Sequence, residues 1–159
     1  MKRVRGVAIA VSGKLNPFVK EIKMINQRLM WIHLKILHID YVIISAYGPT
    51  SEDYLKNNNE ETEYPNFINT LDDLIKSVKT KYPSAVLIVG GDFNARVEKS
   101  VTNDENLLEE LQDILGDKLS CERNNAGEHL IDLYVSNKLS IVNSFLVQRK
   151  WDRYLASSR

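Results

Sequence analysis

Gly6-Val7-Ala8-Ile9-Ala10-Val11 is a continuous apolar, β-prone run closed by Ser12-Gly13, the pattern of a buried strand followed by a turn. So little chain precedes it that its neighbours in a sheet are expected to lie outside this sequence, because a sheet normally begins with an edge built to be one. From Ile25 to Ile39 apolar and polar positions partly alternate, with Met30, Ile32, Leu34 and Ile36 set against Trp31, His33 and Lys35. That is the period of a half-buried strand pair. Tyr41-Val42-Ile43-Ile44-Ser45-Ala46-Tyr47 is a more fully apolar strand, stopped by Gly48-Pro49.

Ser51 to Glu63 is polar, acidic and asparagine-rich, which predicts a loop. A helix follows: Pro65 suits its first turn, and Phe67, Ile68, Leu71, Leu74, Ile75 and Val78 recur at three- and four-residue spacing to form one buried stripe. Lys79 and Lys81 lie where cations complement the helix dipole, and Pro83-Ser84 ends the element. Ala85-Val86-Leu87-Ile88-Val89 is a short uninterrupted apolar run, the pattern of a strand covered on both faces. A second helix is predicted from Glu105 to Leu115, capped by Asn103 or Asp104 and stopped by Gly116, and a third from Gly127 to Asn137 with Leu130, Leu133 and Tyr134 inward. Leu139 to Val147 returns to strand character. The order β-β-β-α-β-α-α-β predicts a layered α/β fold.

Composition narrows the class. At 159 residues the chain fits one domain, and its 43% hydrophobic and 26% charged residues exclude the signature of disorder. Acidic and basic residues balance at 21 each, so any contact with nucleic acid must be local and not the work of a global field. The single cysteine, Cys121, excludes an internal disulfide. No apolar run approaches the roughly 18 residues of a membrane span, and the run after Lys2, Arg3 and Arg5 is too short for a signal peptide. The expectation is an intracellular protein, nuclear or cytoplasmic, neither secreted nor in a membrane.

In a layered α/β fold, polar residues at the C-terminal ends of buried strands converge on one face. Two exits qualify, Tyr47-Gly48-Pro49 and Gly91-Asp92-Phe93-Asn94. Residues two apart on a strand point to the same side, so Asp92 and Asn94 are expected to face one substrate while Phe93 anchors the turn. Such a pair suits phosphodiester cleavage: Asp92 to orient and deprotonate water, Asn94 to donate to the charge growing on phosphoryl oxygens, Tyr47 to donate to the same phosphate. Asp and Asn after Gly-Gly are also common turn formers, and that reading stands beside the catalytic one. His33, His38 and His129 have no partners at ligand spacing and are expected to be structural. The acids Glu21, Glu52, Asp53 and Glu60 to Glu63 are expected to be solvated.

Taken in order, the Tyr-x-Pro exit, the amphipathic helix, the apolar strand and Gly-Asp-Phe-Asn resemble the endonuclease/exonuclease/phosphatase family, whose deoxyribonuclease-like fold includes abasic-site endonucleases. The resemblance is strongest to the endonuclease domains of non-LTR retrotransposons and to the related craniofacial development protein 2-like proteins. It extends through Asn124-Asn125-Ala126-Gly127-Glu128-His129-Leu130-Ile131-Asp132-Leu133 and Ser136-Asn137-Lys138-Leu139-Ser140-Ile141-Val142-Asn143-Ser144, so that it covers about residues 6–147. It implies a partial four-layer α/β sandwich, two mixed sheets flanked by helices, built as one incomplete domain over 1–159. It further implies a magnesium-dependent hydrolase that nicks DNA, with Tyr47, Asp92 and Asn94 in the positions of the family's active-site tyrosine, catalytic aspartate and transition-state asparagine. The family's magnesium-ligating Glu and its Ser-Asp-His segment have no counterpart here, so the chain is expected to be a weak or inactive nuclease. The alternative expectation is a non-catalytic, retroelement-derived remnant or interaction module.

Overall fold

The computed structural model describes residues 6–50, 63–97 and 124–142. The predicted helix from Glu105 to Leu115, Cys121, the basic residues Lys2, Arg3 and Arg5, and the predicted strand beyond Val142 lie outside them. The chain divides into two compact units, Met1–Ala95 and Arg96–Arg159.

In the first unit a short 3-10 turn at Asn16–Phe18 leads into β1 (Val19–Asn26), β2 (Leu29–Ile36) and β3 (Ile39–Tyr47), and α1 (Glu63–Lys81) precedes β4 (Val86–Asp92). Among the described residues the strands form one four-stranded sheet in the order β1-β2-β3-β4. The first two pairings are antiparallel, and β4 joins β3 in parallel, so the sheet is mixed. With the helices this is an α/β arrangement.

One face of the sheet and one stripe of α1 make the core. Leu29 and Trp31 of β2 stand beside Ala46 and Ile44 of β3, and His33 stands beside Val42. All six are buried, as are Tyr64, Phe67, Ile68, Leu71, Leu74, Ile75 and Val78 of α1. Each fully buried Leu or Ile of such a set contributes roughly 1.5–3 kcal/mol of transfer free energy. The helix spans the range its periodicity predicts, and the spacing dictates the stripe.

Where β1, β2 and the end of α1 meet, the core closes with polar contacts. The Tyr82 ring lies 4.1 Å from the His33 ring and edge-on to Trp31 at 6.2 Å. Its hydroxyl donates to Glu21 Oε2 at 2.7 Å, and Lys81 ion-pairs with the same carboxylate. The buried His33 is satisfied by its Nε2, which contacts Asp40 Oδ1 at 2.6 Å. Glu21 is no solvated loop acid: it belongs to β1 and is fastened to α1.

Four expectations are corrected. Gly6–Val11 pairs with no strand among the described residues, although Val7, Ile9 and Val11 are half-buried and Ala8 and Ala10 exposed, as in an extended run. An apolar pattern cannot supply the partner whose hydrogen bonds define a strand. β1, unpredicted as a separate strand, occupies a sheet edge with Ile22 and Met24 65% and 67% exposed, whereas β2 is covered on both faces through Ile32 and Leu34. β4 is not doubly covered: among the described residues it is the other edge, with Val86 and Ile88 both nearly half exposed. Leu139–Ile141 forms no strand. An uninterrupted apolar run looks the same at an edge as at a centre, because coverage is decided by what packs on it.

The second unit contributes α2 (Asn125–Asn137), close to the predicted bounds. Asn124 caps it, its side-chain oxygen accepting from Gly127 N at 2.9 Å and from Arg96 N at 2.9 Å. Lys138, at φ 51°, ends it in the left-handed region, and Leu139 N returns to Tyr134 O at 2.9 Å. Leu130, Ile131, Leu133 and Tyr134 are buried, and burial pushes the Tyr134 phenol up to about 12. No helix among the described residues is long and apolar enough to cross a membrane.

Truncating the centre of the α1 stripe with Leu71→Ala, at a side chain with no exposure, is expected to lower stability by about 2–5 kcal/mol in urea unfolding. Hydrogen bonds from Lys81 and Tyr82 hold Glu21 below the usual carboxylate range, and the His33 contact does the same for Asp40. Carboxylates lowered on folding stabilise the fold above their ordinary values of about 4 and lose that contribution as pH falls through the lowered ones. The urea midpoint should therefore hold from pH 7 to about 5 and fall below about 4, and the fall should be shallower in Glu21→Gln/Asp40→Asn.

Candidate functional site

The parallel ladder runs from Tyr41↔Val86 to Tyr47↔Asp92, so β3 and β4 end side by side at their C-terminal ends. Register partners share a sheet face, which puts the Tyr47 and Asp92 side chains on one side, opposite the α1 core. The two predicted exits are thus one place in the fold.

Close backbone approach is what brings them together. Gly91 has φ +144°, and a Cβ there would fall 1.8 Å from Ala46 O. A Cβ on Gly48 would fall 2.2 Å from Phe93 O. Only glycine fits either position. With no side chains between them, the exits are laced: Gly48 N donates to Asp92 O at 2.7 Å, and Asn94 Nδ2 donates to Gly48 O at 2.8 Å.

Asp92 and Asn94 do not share a strand face as period two predicts. Asp92 is the last residue of β4, and Asn94 has turned into the left-handed region at φ 50°, which asparagine tolerates better than most residues. Asn94 N then donates to Asp92 Oδ1 at 3.0 Å. The pair is therefore a side-chain-closed turn, the turn chemistry that the sequence also offered for these residues. Asp92 is exposed, while Tyr47 and Asn94 are half-buried. One amide proton of Asn94 is spent on Gly48 O and a second remains, since the side-chain NH2 has two.

Two residues that sequence reasoning did not single out, Tyr64 and Arg28, and one acid expected to be solvated, Glu63, complete the cluster. Tyr64 Oη donates to Phe93 O at 3.1 Å, pinning the turn to the start of α1. Arg28, in the turn before β2, is 8% exposed, and its Nη2 meets Glu63 Oε1 at 3.2 Å. The guanidinium carbon lies 5.6 Å from the centroid of the Tyr47 ring, and Nη1 reaches Gly48 O at 3.4 Å. Glu63 is therefore not a solvated loop acid. Its position just before Pro65, at a helix start, is the one signal that could have raised it; nothing local pairs it with Arg28.

His33 and Asp40 are remote from this cluster. Asp40 and Tyr47 lie near opposite ends of β3, roughly 23 Å apart along the strand.

Magnesium requires near-octahedral oxygen ligation with one or two well-held carboxylates. Among the described residues no group of three or more His, Cys, Asp and Glu side chains is placed to hold a metal. At the strand exits Asp92 offers an exposed carboxylate, whereas Glu63 is committed to Arg28 and its Oε2 is buried without a hydrogen-bond partner among the described residues. The described residues do not by themselves fit a magnesium site.

Comparison of the chain with protein-family models, with curated proteins and with solved structures found no match. The geometry of the cluster is what supports a functional reading.

Gly91→Ala should destabilise the chain by more than about 1 kcal/mol in thermal unfolding, because the added Cβ meets both a forbidden φ and the Ala46 carbonyl. Gly90→Ala, with nothing within 4 Å of its Cβ, is the control and should be far milder.

Proposed function

We propose that the chain is a phosphodiester-cleaving domain of the endonuclease/exonuclease/phosphatase type, acting on DNA as a retroelement-type nickase, with Tyr47, Asp92 and Asn94 as its catalytic residues. The observation that carries the reading is the meeting of these three residues at the coincident C-terminal ends of two parallel strands, laced through Gly48. The finer architecture that goes with it is the deoxyribonuclease-like sandwich of two sheets, of which β1–β4 with α1 would be one half.

Each residue has a step to perform. The exposed Asp92 carboxylate accepts a proton from water as the water oxygen bonds to phosphorus, the P–O bond to the leaving strand end breaks, and the departing oxygen takes its proton from solvent. The free amide proton of Asn94 and the phenol of Tyr47 donate to the phosphoryl oxygens as negative charge grows on them. The turn that ties Asn94 N to Asp92 Oδ1 keeps base and donor at a set separation, which is the entropic part of the catalysis. Magnesium belongs to this reading by resemblance. The described residues do not supply its carboxylates, so no step is routed through it, and turnover by this chain is slow.

A second reading, a non-catalytic interaction module, is favoured by the sheet face opposite α1. Ile22, Met24, Ile39, Val86 and Ile88 all lie between 45% and 67% exposed there, a larger run of apolar surface than scattered exposure gives.

A supercoiled-plasmid assay with magnesium separates the two. The catalytic reading expects slow nicking that falls by at least about 100-fold in Asp92→Ala, the typical loss for a removed general base. Nicking that is equally absent, or equally present, in wild type and Asp92→Ala gives the chain to the second reading.

A further inference from the structure

Arg28 carries a charge into a place where its own reach to solvent is small: its side chain is 10% exposed. A buried guanidinium must be paired, and Glu63 Oε1 at 3.2 Å is one of its partners. Stability alone is a weak reason for such a pair, since a buried ion pair often contributes no more than apolar residues of the same volume. Nor is this pair optimised for stability, because Glu63 Oε2 is buried with no hydrogen-bond partner among the described residues.

Position gives a better reason. Three contacts of Arg28 converge on the strand exits. Its carbonyl accepts from Tyr47 N at 2.9 Å, its guanidinium faces the Tyr47 ring at 5.6 Å, and Nη1 reaches Gly48 O at 3.4 Å. Gly48 O is the same acceptor that holds Asn94 Nδ2 at 2.8 Å. One side chain thus touches the ring of one nominated residue and the anchor of another, while Glu63 ties it to the first position of α1.

We infer that Arg28 is a positioning residue of the strand-exit cluster: held by Glu63, it sets the Tyr47 ring and the Asn94 amide relative to each other. The inference takes its purpose from the phosphodiesterase reading, since the two groups it aligns are the two proposed phosphate donors. It does not place Arg28 on substrate. Arginine is required because its planar fork serves Glu63 and Gly48 O while its face stays over the ring, whereas a lysine ammonium is a single point of charge.

The test is nuclear magnetic resonance of the full labelled chain, reading the Tyr47 ring signals and the Asn94 side-chain amide pair, assigned by their loss in Tyr47→Phe and Asn94→Asp. In Arg28→Met both sets are expected to shift, and the Asn94 amide to exchange faster with solvent. Arg28→Lys should restore the Tyr47 signals in part and leave the Asn94 amide displaced. Removing Arg28 alone strands Glu63 in the interior, so Arg28→Met/Glu63→Leu is measured beside it as the variant expected to remain folded. Tyr47 and Asn94 signals that stay at their wild-type positions in the folded double variant overturn the inference and leave Arg28 a structural ion pair. The readout does not depend on cleavage. Shifts without any wild-type nicking would remove the catalytic reading while keeping Arg28 as the organiser of the two exits.

Discussion

Parallel pairing of β3 with β4, in the register that sets Tyr47 opposite Asp92, is the constraint on which the candidate site depends. Side-chain period in a strand is two, so a slip of one residue would put Tyr47 and Asp92 on opposite faces. Parallel strands also need a crossover between them, and α1 lies between β3 and β4 in the chain with its apolar stripe buried. The same stripe that stabilises the unit therefore permits the pairing that aligns the exits. Gly91 and Gly48 make the alignment close enough for main-chain hydrogen bonds, because each stands where a Cβ would overlap a carbonyl.

Polar side chains buried in these units are few and paired. Among the described residues Arg28, His33 and Asn137 are the buried polar side chains, and each has a hydrogen-bond or ionic partner: Glu63, Asp40 and the Leu133 carbonyl. Two of them mark opposite ends of the sheet. His33, with Tyr82, Glu21 and Lys81, fastens β1 and β2 to the end of α1. Arg28 and Tyr64 fasten the strand exits to its beginning. The helix is thus tied to the sheet at both ends by polar contacts and along its length by apolar ones, which leaves it little freedom to slide.

The chemistry open to the strand exits follows from exposure. Asp92 is exposed and open to solvent, while Asn94 and Tyr47 are half-buried and have their backbone N–H groups bonded to Asp92 Oδ1 and Arg28 O. In the proposed phosphodiesterase, the held Asn94 amide and Tyr47 phenol would be the preorganised donors and the exposed Asp92 the group that meets water.

Residue order alone determined a good part of this. The α1 stripe from Phe67 to Val78 was legible because a period of 3.6 is a local property, and so were α2 and the strand ending at Tyr47. Tyr47, Asp92 and Asn94 stood out because strand exits in a layered fold collect polar groups. Tertiary structure decided the rest. It made Ala85–Val89 an exposed edge and Leu29–Leu34 a strand covered on both faces, since coverage depends on neighbours that periodicity does not name. It left Gly6–Val11 without a partner strand among the described residues. It turned Asp92 and Asn94 from neighbours on one strand face into one closed turn, with Asn94 in the left-handed region, its backbone bonded to Asp92 and its side chain to Gly48 O across the sheet. And it paired Arg28 with Glu63, a pairing that nothing local in the sequence marks, because the strand turn and the helix start are folded to the same point.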